Sequence, residues 1–317
     1  MADSKYILEV KDLCQSFSSG RGKKKMTVHA VDHVSFGIRP AETFGLVGES
    51  GCGKTTTGRT IIRLYDPTGG EMYFDGKDIA GKMTNELRKF LTSNIAMIFQ
   101  DPIESLNPRM TIQEIVGEGL KIRGVTDPKE VHDRVVAMLK KVGLTEEHAT
   151  RYPHEFSGGQ RQRIGIARAI IVKPKLIIAD EPVSALDVSI QAQVINLQND
   201  LKEEMGLTIL FIAHNLSVVK YFSDRIGVMY YGKLVEVAKG DDLYKNPLHP
   251  YTKALLSAIP EPNPLTERTR QRVDYDPKRD HDYSQEQPSM VEVEEGHFVY
   301  CSPSELEKYK AQLAANK

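Results

Sequence analysis

The sequence predicts an α/β protein: a mostly parallel sheet covered on both faces, joined by an antiparallel β layer, a helical insertion and a C-terminal extension. Three observations carry that prediction. Continuous apolar runs at Thr43–Val47, Leu176–Ala179 and Thr208–Ala213 are strand-sized and alternate with helix-compatible stretches. Val31-Asp32-His33-Val34-Ser35-Phe36 instead alternates apolar and polar residues, as a half-exposed antiparallel strand does. Between Val47 and the helix-compatible Thr55–Leu64 lies Gly48-Glu49-Ser50-Gly51-Cys52-Gly53-Lys54-Thr55, which satisfies G-x-x-x-x-G-K-[ST] in the strand-to-helix setting that a phosphate-binding loop requires.

At 317 residues the chain is long enough for one large domain or two ordinary ones with a substantial core. Its 42 Lys+Arg balance 43 Asp+Glu, so no net basic field would concentrate a polyanion and the composition offers no case for a general nucleic-acid binder. The residues Met1-Ala2-Asp3-Ser4-Lys5-Tyr6 lack the apolar stretch of a secretory signal. No run approaches the roughly 18 apolar residues that cross a bilayer, so a soluble protein is expected. Three scattered cysteines suit a reducing compartment better than a disulfide framework.

In chain order, Tyr6–Val10 and Val28–Ile38 read as strands, with a polar, basic loop at Ser18–Lys25 between them that suits a solvated turn. Phe17, just ahead of that loop, is either core or an aromatic placed to stack on a nucleobase. Past the phosphate loop, Met72–Phe74 with the turn Asp75-Gly76, and Ile95–Phe99 ending at Gln100, read as strands. From Thr111 to Arg151 the spacing becomes helical through Val131, Val135, Met138, Leu139 and Val142, with breaks at Gly124, Pro128 and Gly143. Gly227–Tyr230 and Leu234–Val237 are further strands. Beyond them Pro247, Pro250, Pro260, Pro262 and Pro264 punctuate a short helix at Tyr251–Ala258. Thr266–Gln287 is charged and poor in aliphatics, which favours irregular structure on a surface, and Glu305–Asn316 suits a closing helix.

The chemistry starts at the loop. Gly48, Gly51 and Gly53 allow successive amides to turn inward around an anion, with Ser50, Cys52 and Thr56 completing the cradle and the following helix start adding partial positive charge. Lys54 would reach the β- and γ-phosphates, the Thr55 hydroxyl would hold Mg²⁺, and Cys52 would serve as a small filler. The run Leu176–Ala179 delivers Asp180 and Glu181 to the end of a buried strand, where such sheets bind ligands. Asp180 fits the magnesium ion opposite Thr55. Glu181 points elsewhere because strand side chains alternate, and it fits the base that orients or deprotonates an attacking water. Ser157-Gly158-Gly159-Gln160 opens a second helix-compatible stretch with Ser157 as N-cap, making a second anion site. Both sites would serve one nucleotide if two copies met head to tail, the loop of one facing the serine-glycine turn of the other.

In this order, Gly48 to Thr55, Gln100, Ser157-Gly158-Gly159-Gln160, Ile178-Ala179-Asp180-Glu181, Ser184-Ala185-Leu186-Asp187 and His214 resemble the nucleotide-binding subunit of an ATP-binding-cassette (ABC) transporter, over about three quarters of the chain. The resemblance implies a P-loop NTPase core of RecA-like type, an antiparallel β subdomain, and a helical signature-motif subdomain at about residues 101–172. It implies a cassette over residues 1–240 and an extension over 241–317. It further implies that Phe17 stacks on adenine, that Gln100 contacts Mg²⁺ and the attacking water and couples to the membrane subunits, that His214 contacts the γ-phosphate, and that Asp187 shapes the opposing subunit's site. Phe156 stands where many relatives have Leu, a tolerated change of packing. Glu181, His214 and Gln100 fill the catalytic positions, so this half-site is expected to be active with ATP and Mg²⁺.

Soluble cassette ATPases acting on DNA or ribosomes are the alternative class. Long coiled coils, a second cassette and zinc-binding cysteine clusters, the marks of those relatives, are missing. Leu243–Pro247 followed by Leu248–Pro260 is similar to the extension of oligopeptide and dipeptide importer ATPases, and Gly296-His297-Phe298-Val299-Tyr300 to the second ATPase of the oligopeptide-permease pair. Nickel importers share much of this tail. The resemblance implies a second, non-identical ATPase, two transmembrane permease subunits and an extracytoplasmic substrate-binding protein as partners, no nucleic acid, and a peripheral place on the cytoplasmic face of the membrane. Many members hold an iron–sulfur cluster in the extension; with Cys301 alone in that region, none is expected. Asp101–Met110 should form part of the groove for a permease helix, with Leu106 and Met110 as contacts.

Overall fold

The computed structural model describes residues 5–20, 26–184, 186–259, 272–284 and 286–316. Strands β1 (Leu8–Ser19) and β2 (Met26–Ile38) run antiparallel, and β4 (Gly69–Phe74) and β5 (Lys77–Asp78) complete a four-stranded sheet in the order β2-β1-β4-β5. The turn between β4 and β5 falls at Asp75 and Gly76, both at positive φ, as expected for a two-residue hairpin. Strand β1 is longer than Tyr6–Val10. Asp12 at φ 48 and register shifts between Val10 and Ser16 break its alternation, which hid its second half from pattern reading. Ser18 and Ser19 belong to that strand, and residues 21–25 of the expected basic loop lie outside the described residues.

The second sheet holds β3 (Thr43–Val47), β6 (Ile95–Ile98), β7 (Leu176–Asp180), β8 (Thr208–Ala213), β9 (Arg225–Tyr230) and β10 (Lys233–Lys239), with β11 (Ser289–Glu294) and β12 (His297–Cys301) at one edge. Its order is β11-β12-β10-β9-β3-β8-β7-β6. Pairing is parallel from β9 through β3, β8 and β7 to β6. The apolar runs divide by parity: Ile177, Ala179, Ile209 and Phe211 enter one core cluster, whereas Leu176, Ile178, Leu210 and Ile212 enter the other. Each run therefore buries both faces, which is why it shows no polar alternation. The antiparallel sheet covers one face, contributing Leu8, Val34, Met72 and Phe74 to the second cluster.

Helix α1 (Lys54–Ile61) follows the phosphate loop, and α2 (Asn85–Asn94) precedes β6. The insertion comprises α3 (Pro102–Ser105), α4 (Ile112–Ile122), α5 (Pro128–Lys141) and α6 (Gly158–Ile170). Thr111 and Glu114 form a reciprocal cap on α4, and Asp127 caps α5 with Pro128 at its start, so that proline opens a helix instead of breaking one. Leu106 is 2 % exposed and sits in the core, and Met110 packs half-buried against the same cluster. The expected role of Leu106 as a permease contact is thus corrected: its side chain is buried in the core cluster that the helices of the insertion share.

Helices α7 (Val188–Met205), α8 (Leu216–Phe222), α9 (Gly240–Lys245), α10 (Pro250–Ser257), α11 (Pro277–Asp280) and α12 (Pro303–Ala315) complete the chain. No helix among the described residues is long and apolar enough to cross a membrane. Pro260, Pro262 and Pro264, with residues 266–271 of the charged tract, lie outside the described residues. The remainder of that tract is irregular apart from α11, but it is more than a surface covering. His281 is buried with its Nδ1 2.6 Å from Glu305 Oε1, and Tyr275 packs on Tyr230 and Tyr251. The hairpin β11–β12 was not expected. Its signal is the alternation Val291-Glu292-Val293-Glu294 ahead of Gly296, which turns at φ 77.

Candidate nucleotide site

The carboxyl ends of the parallel strands gather the functional residues. Gly48 and Gly53 begin and end the loop where no side chain fits: a Cβ on Gly48 would stand 2.2 Å from the Met229 carbonyl oxygen, and one on Gly53 would stand 2.1 Å from that of Ala30. Gly53 is the N-cap of α1 at φ 108 and offers no side-chain cap, so the first amides of that helix stay available to an anion. Lys54 is 4 % exposed and its Nζ donates to the carbonyls of Gly48 at 2.8 Å and Glu49 at 2.9 Å. The third N–H points to Cys52 Sγ at 3.8 Å, a weak acceptor that a ligand oxygen can replace.

A cavity of about 390 Å³ opens over the loop and is lined by Gly51, Lys54, Thr55, Gln100, Glu181 and His214, among others. Ser50, Gly53 and Thr56 share the lining. Ala30 does too, although nothing in its sequence setting marked it. The Thr55 hydroxyl donates to Asp180 Oδ1 at 2.7 Å. Asp180 is fully buried, burial pushes its carboxyl above the usual range against the Thr55 hydrogen bond, and its Oδ2 has no partner among the described residues. A buried, unsatisfied carboxylate oxygen beside a threonine hydroxyl is the donor set that a small divalent cation takes. Thr55 and Asp180 therefore fit magnesium.

Glu181 follows the last residue of β7 at φ 44, a left-handed conformation. Its Oε2 accepts from Gln100 Nε2 at 3.1 Å and lies 2.9 Å from His214 Nδ1. Three strand ends, those of β6, β7 and β8, thus converge on one carboxylate. Cys52 does not line the cavity. It is 5 % exposed, its Sγ packs against Gly48 and lies 3.8 Å from Lys54 Nζ, and burial pushes its thiol up.

Other expected site residues are elsewhere. Phe17, 40 % exposed, meets the edge of Tyr65 with ring centroids 5.2 Å apart and does not line the cavity. Ser157 caps α6 reciprocally with Gln160, and Gly158 and Gly159 face Leu186 and Ile190. Asp187 is the N-cap residue of α7 without a side-chain cap bond. Ala185, within the Ser184–Asp187 motif, lies outside the described residues. Among the described residues, Ser157, Gly158, Gly159 and Gln160 do not line the cavity over the loop.

The ABC transporter family matches residues 31–184, and the oligopeptide/dipeptide transporter C-terminal region matches residues 235–289. Over 304 residues the chain is 58 % identical to the oligopeptide transport ATP-binding protein OppF of Bacillus subtilis (strain 168), covering 96 % of this chain and 98 % of that one. It belongs to the ATP-binding subunits of the oligopeptide ABC importers. As a member of that family it carries the ATP-binding cassette, binds nucleotide and hydrolyses ATP. A second relative, the dipeptide transport ATP-binding protein DppF of Lactococcus lactis subsp. cremoris (strain MG1363), is 53 % identical over 98 % of both chains. Among solved structures, an ATP-binding cassette captured as a post-hydrolysis dimer with ADP and Pi is 31 % identical, with a TM-score of 0.66 over 73 % of this chain and 98 % of that one.

Proposed function

We propose that this subunit hydrolyses ATP at a composite site formed with a second, non-identical ATPase subunit, and that closure of the pair drives peptide uptake. The convergence of Gln100 and His214 on Glu181, across a cavity from Lys54, carries this reading. The loop amides and Lys54 would grip the β- and γ-phosphates. Magnesium, held by Thr55 and Asp180 with Gln100 nearby, would neutralise charge between those phosphates. With Nε2 committed to Glu181, the Gln100 amide keeps its oxygen for the cation or the attacking water. Glu181 Oε2 is taken by its two neighbours, so Oε1 is left to accept a proton from that water as it attacks in line. His214 holds the carboxylate through Nδ1 and reaches the γ-phosphate through Nε2.

The transferring charge would be completed from across the dimer by the partner's serine-glycine turn, as Ser157–Gln160 and Asp187 of this chain would complete the partner's site. ATP would stabilise the closed pair and hydrolysis would release it. Phe17, exposed at the end of β1, would take the adenine ring. The larger groove, about 790 Å³ between α2, β6, α4 and α6, suits a helix from one of two permease subunits. Ile122, 75 % exposed, lies in it, as do Phe99 and Arg168. An extracytoplasmic binding protein would supply peptide, and this subunit would sit peripherally on the cytoplasmic face. Residues 1–240 would act as the cassette, with the helical subdomain at about 101–172, and 241–317 as the importer-specific extension.

Glu181→Gln tests the assignment. It should lower ATP turnover by about 10²–10⁴-fold while MgATP binding and dimer closure persist, because only the proton acceptor is lost. Native turnover in that variant would remove Glu181 from the role of base.

A further inference from the structure

The extension meets the phosphate loop at one point that the hydrolysis scheme leaves unused. Tyr251 lies on α10, 2 % exposed, and its hydroxyl accepts a hydrogen bond from the Glu49 amide at 3.1 Å. Glu49 is the second residue of the loop, and its carbonyl takes Lys54 Nζ at 2.9 Å. One peptide residue is therefore held from both sides, by the extension at its N–H and by the loop lysine at its C=O.

Tyr251 is itself braced. His249 Nδ1 accepts from the Tyr251 amide at 3.1 Å and caps α10. The fully buried Glu236 on β10 accepts from the amides of Leu248 at 2.9 Å and His249 at 3.0 Å, and it contacts His297 Nε2 on β12 at 2.7 Å. The Tyr251 ring packs on Tyr230, which ends β9, with centroids 4.4 Å apart, and on Tyr275 at 5.5 Å. Burial pushes the phenol far up, so the hydroxyl stays neutral. A ring with two torsions, packed on two neighbours and anchored through its own amide, puts one oxygen in one place.

We propose that Tyr251 is a positioning residue for the phosphate loop: its hydroxyl fixes the Glu49 peptide and thereby the carbonyl against which Lys54 is set. The extension is then a strut under the nucleotide site, and nucleotide affinity depends on it. The proposal rests on the loop binding the phosphates of ATP. Tyr251 touches none of Gln100, Glu181 or His214 in this scheme, so it acts on binding and leaves the chemical step alone.

Tyr251→Phe in the full chain removes the hydroxyl and keeps the ring. In the assembled transporter its KM for MgATP should rise about fivefold, the weight of one hydrogen bond, with kcat within about twofold. Hydrogen exchange at the Glu49 amide should quicken by a similar factor in the full chain. Tyr275→Phe, in the same aromatic cluster but not on the loop, should move neither. In the unmutated chain the Glu49 amide should exchange more slowly than that of Ser50. Equal exchange at Glu49 and Ser50, or an equal KM rise in both variants, would overturn the proposal. Absence of MgATP binding by the unmutated chain would instead count against the nucleotide reading, with the exchange result unaffected.

Discussion

The chain carries two helix starts suited to anions, and they are built in opposite ways. At α1 the cap residue is a left-handed glycine without a side chain, and a buried lysine is folded into the loop beside it. At α6 the cap is closed on itself: Ser157 Oγ accepts from the Gln160 amide at 3.3 Å, and Gln160 Oε1 accepts from the Ser157 amide at 3.0 Å. The first site leaves its amides and a cation for a ligand. The second satisfies its own end groups and keeps only the Ser157 hydroxyl proton and the glycine amides to offer. A complete grip and a self-capped contact suit the proposed composite site, in which the second would have to stay stable while its ligand sat on another chain.

Breaking the first site should have the largest effect. Lys54→Ala is expected to abolish MgATP binding by the isolated chain and to lower turnover by at least about a hundredfold. Nucleotide titration checks the first and phosphate release the second. Ser157→Ala should separate the two sites. Turnover in the assembled transporter should fall about tenfold or more, whereas nucleotide affinity of the isolated chain should not change. The lost cap should also cost about 1 kcal/mol of stability, readable by denaturant melting. Should Ser157→Ala weaken binding in the isolated chain as Lys54→Ala does, the two starts would serve one intrachain site and the contrast would fail.

The smallest expected effect lies away from both, in the brace beneath the loop. Burial holds the His249 imidazole down at about 3, helped by His281 and Lys253 nearby. The folded chain keeps this ring neutral while the unfolded chain protonates it below its ordinary value. Its contribution to stability is therefore present above about pH 6.5 and is lost as pH falls toward 3, at up to about 1.4 kcal/mol per pH unit. His249→Asn keeps a side-chain acceptor for the cap and should flatten the decline in melting temperature between about pH 6.5 and 5. An unchanged slope would remove His249 from the acid response.

Legibility followed the range of the interactions. The loop, the acid pair and the serine-glycine turn are set by neighbours in the chain, and each could be read directly. Leu106 could not: an apolar residue in a proline-flanked segment is equally suited to a partner surface or to the core, and only the packing of α3 on α6 and its neighbours put it inside. Cys52 was expected as filler, and its burial agrees with that. The tail was the least readable. Its charges suggest a surface tract, and Asp274, Asp276, Lys278 and Arg279 are indeed exposed; what the charges hid is that His281 is buried against Glu305 of α12 and that Tyr275 and Tyr283 pack beside it.

What the sequence determined by itself was the backbone chemistry of each motif: glycines where a Cβ would strike a carbonyl, a lysine and a threonine at a helix start, two acids at the end of an apolar run. What only the tertiary structure decided was which of these meet. Thr55 finds Asp180 across 125 residues, His214 finds Glu181 across 33, and Tyr251 finds Glu49 across 202. Local steric rules act between adjacent residues and leave a mark in the sequence. Contacts at such separations exist only because parallel strands bring their carboxyl ends to one edge, and because the extension folds back over it.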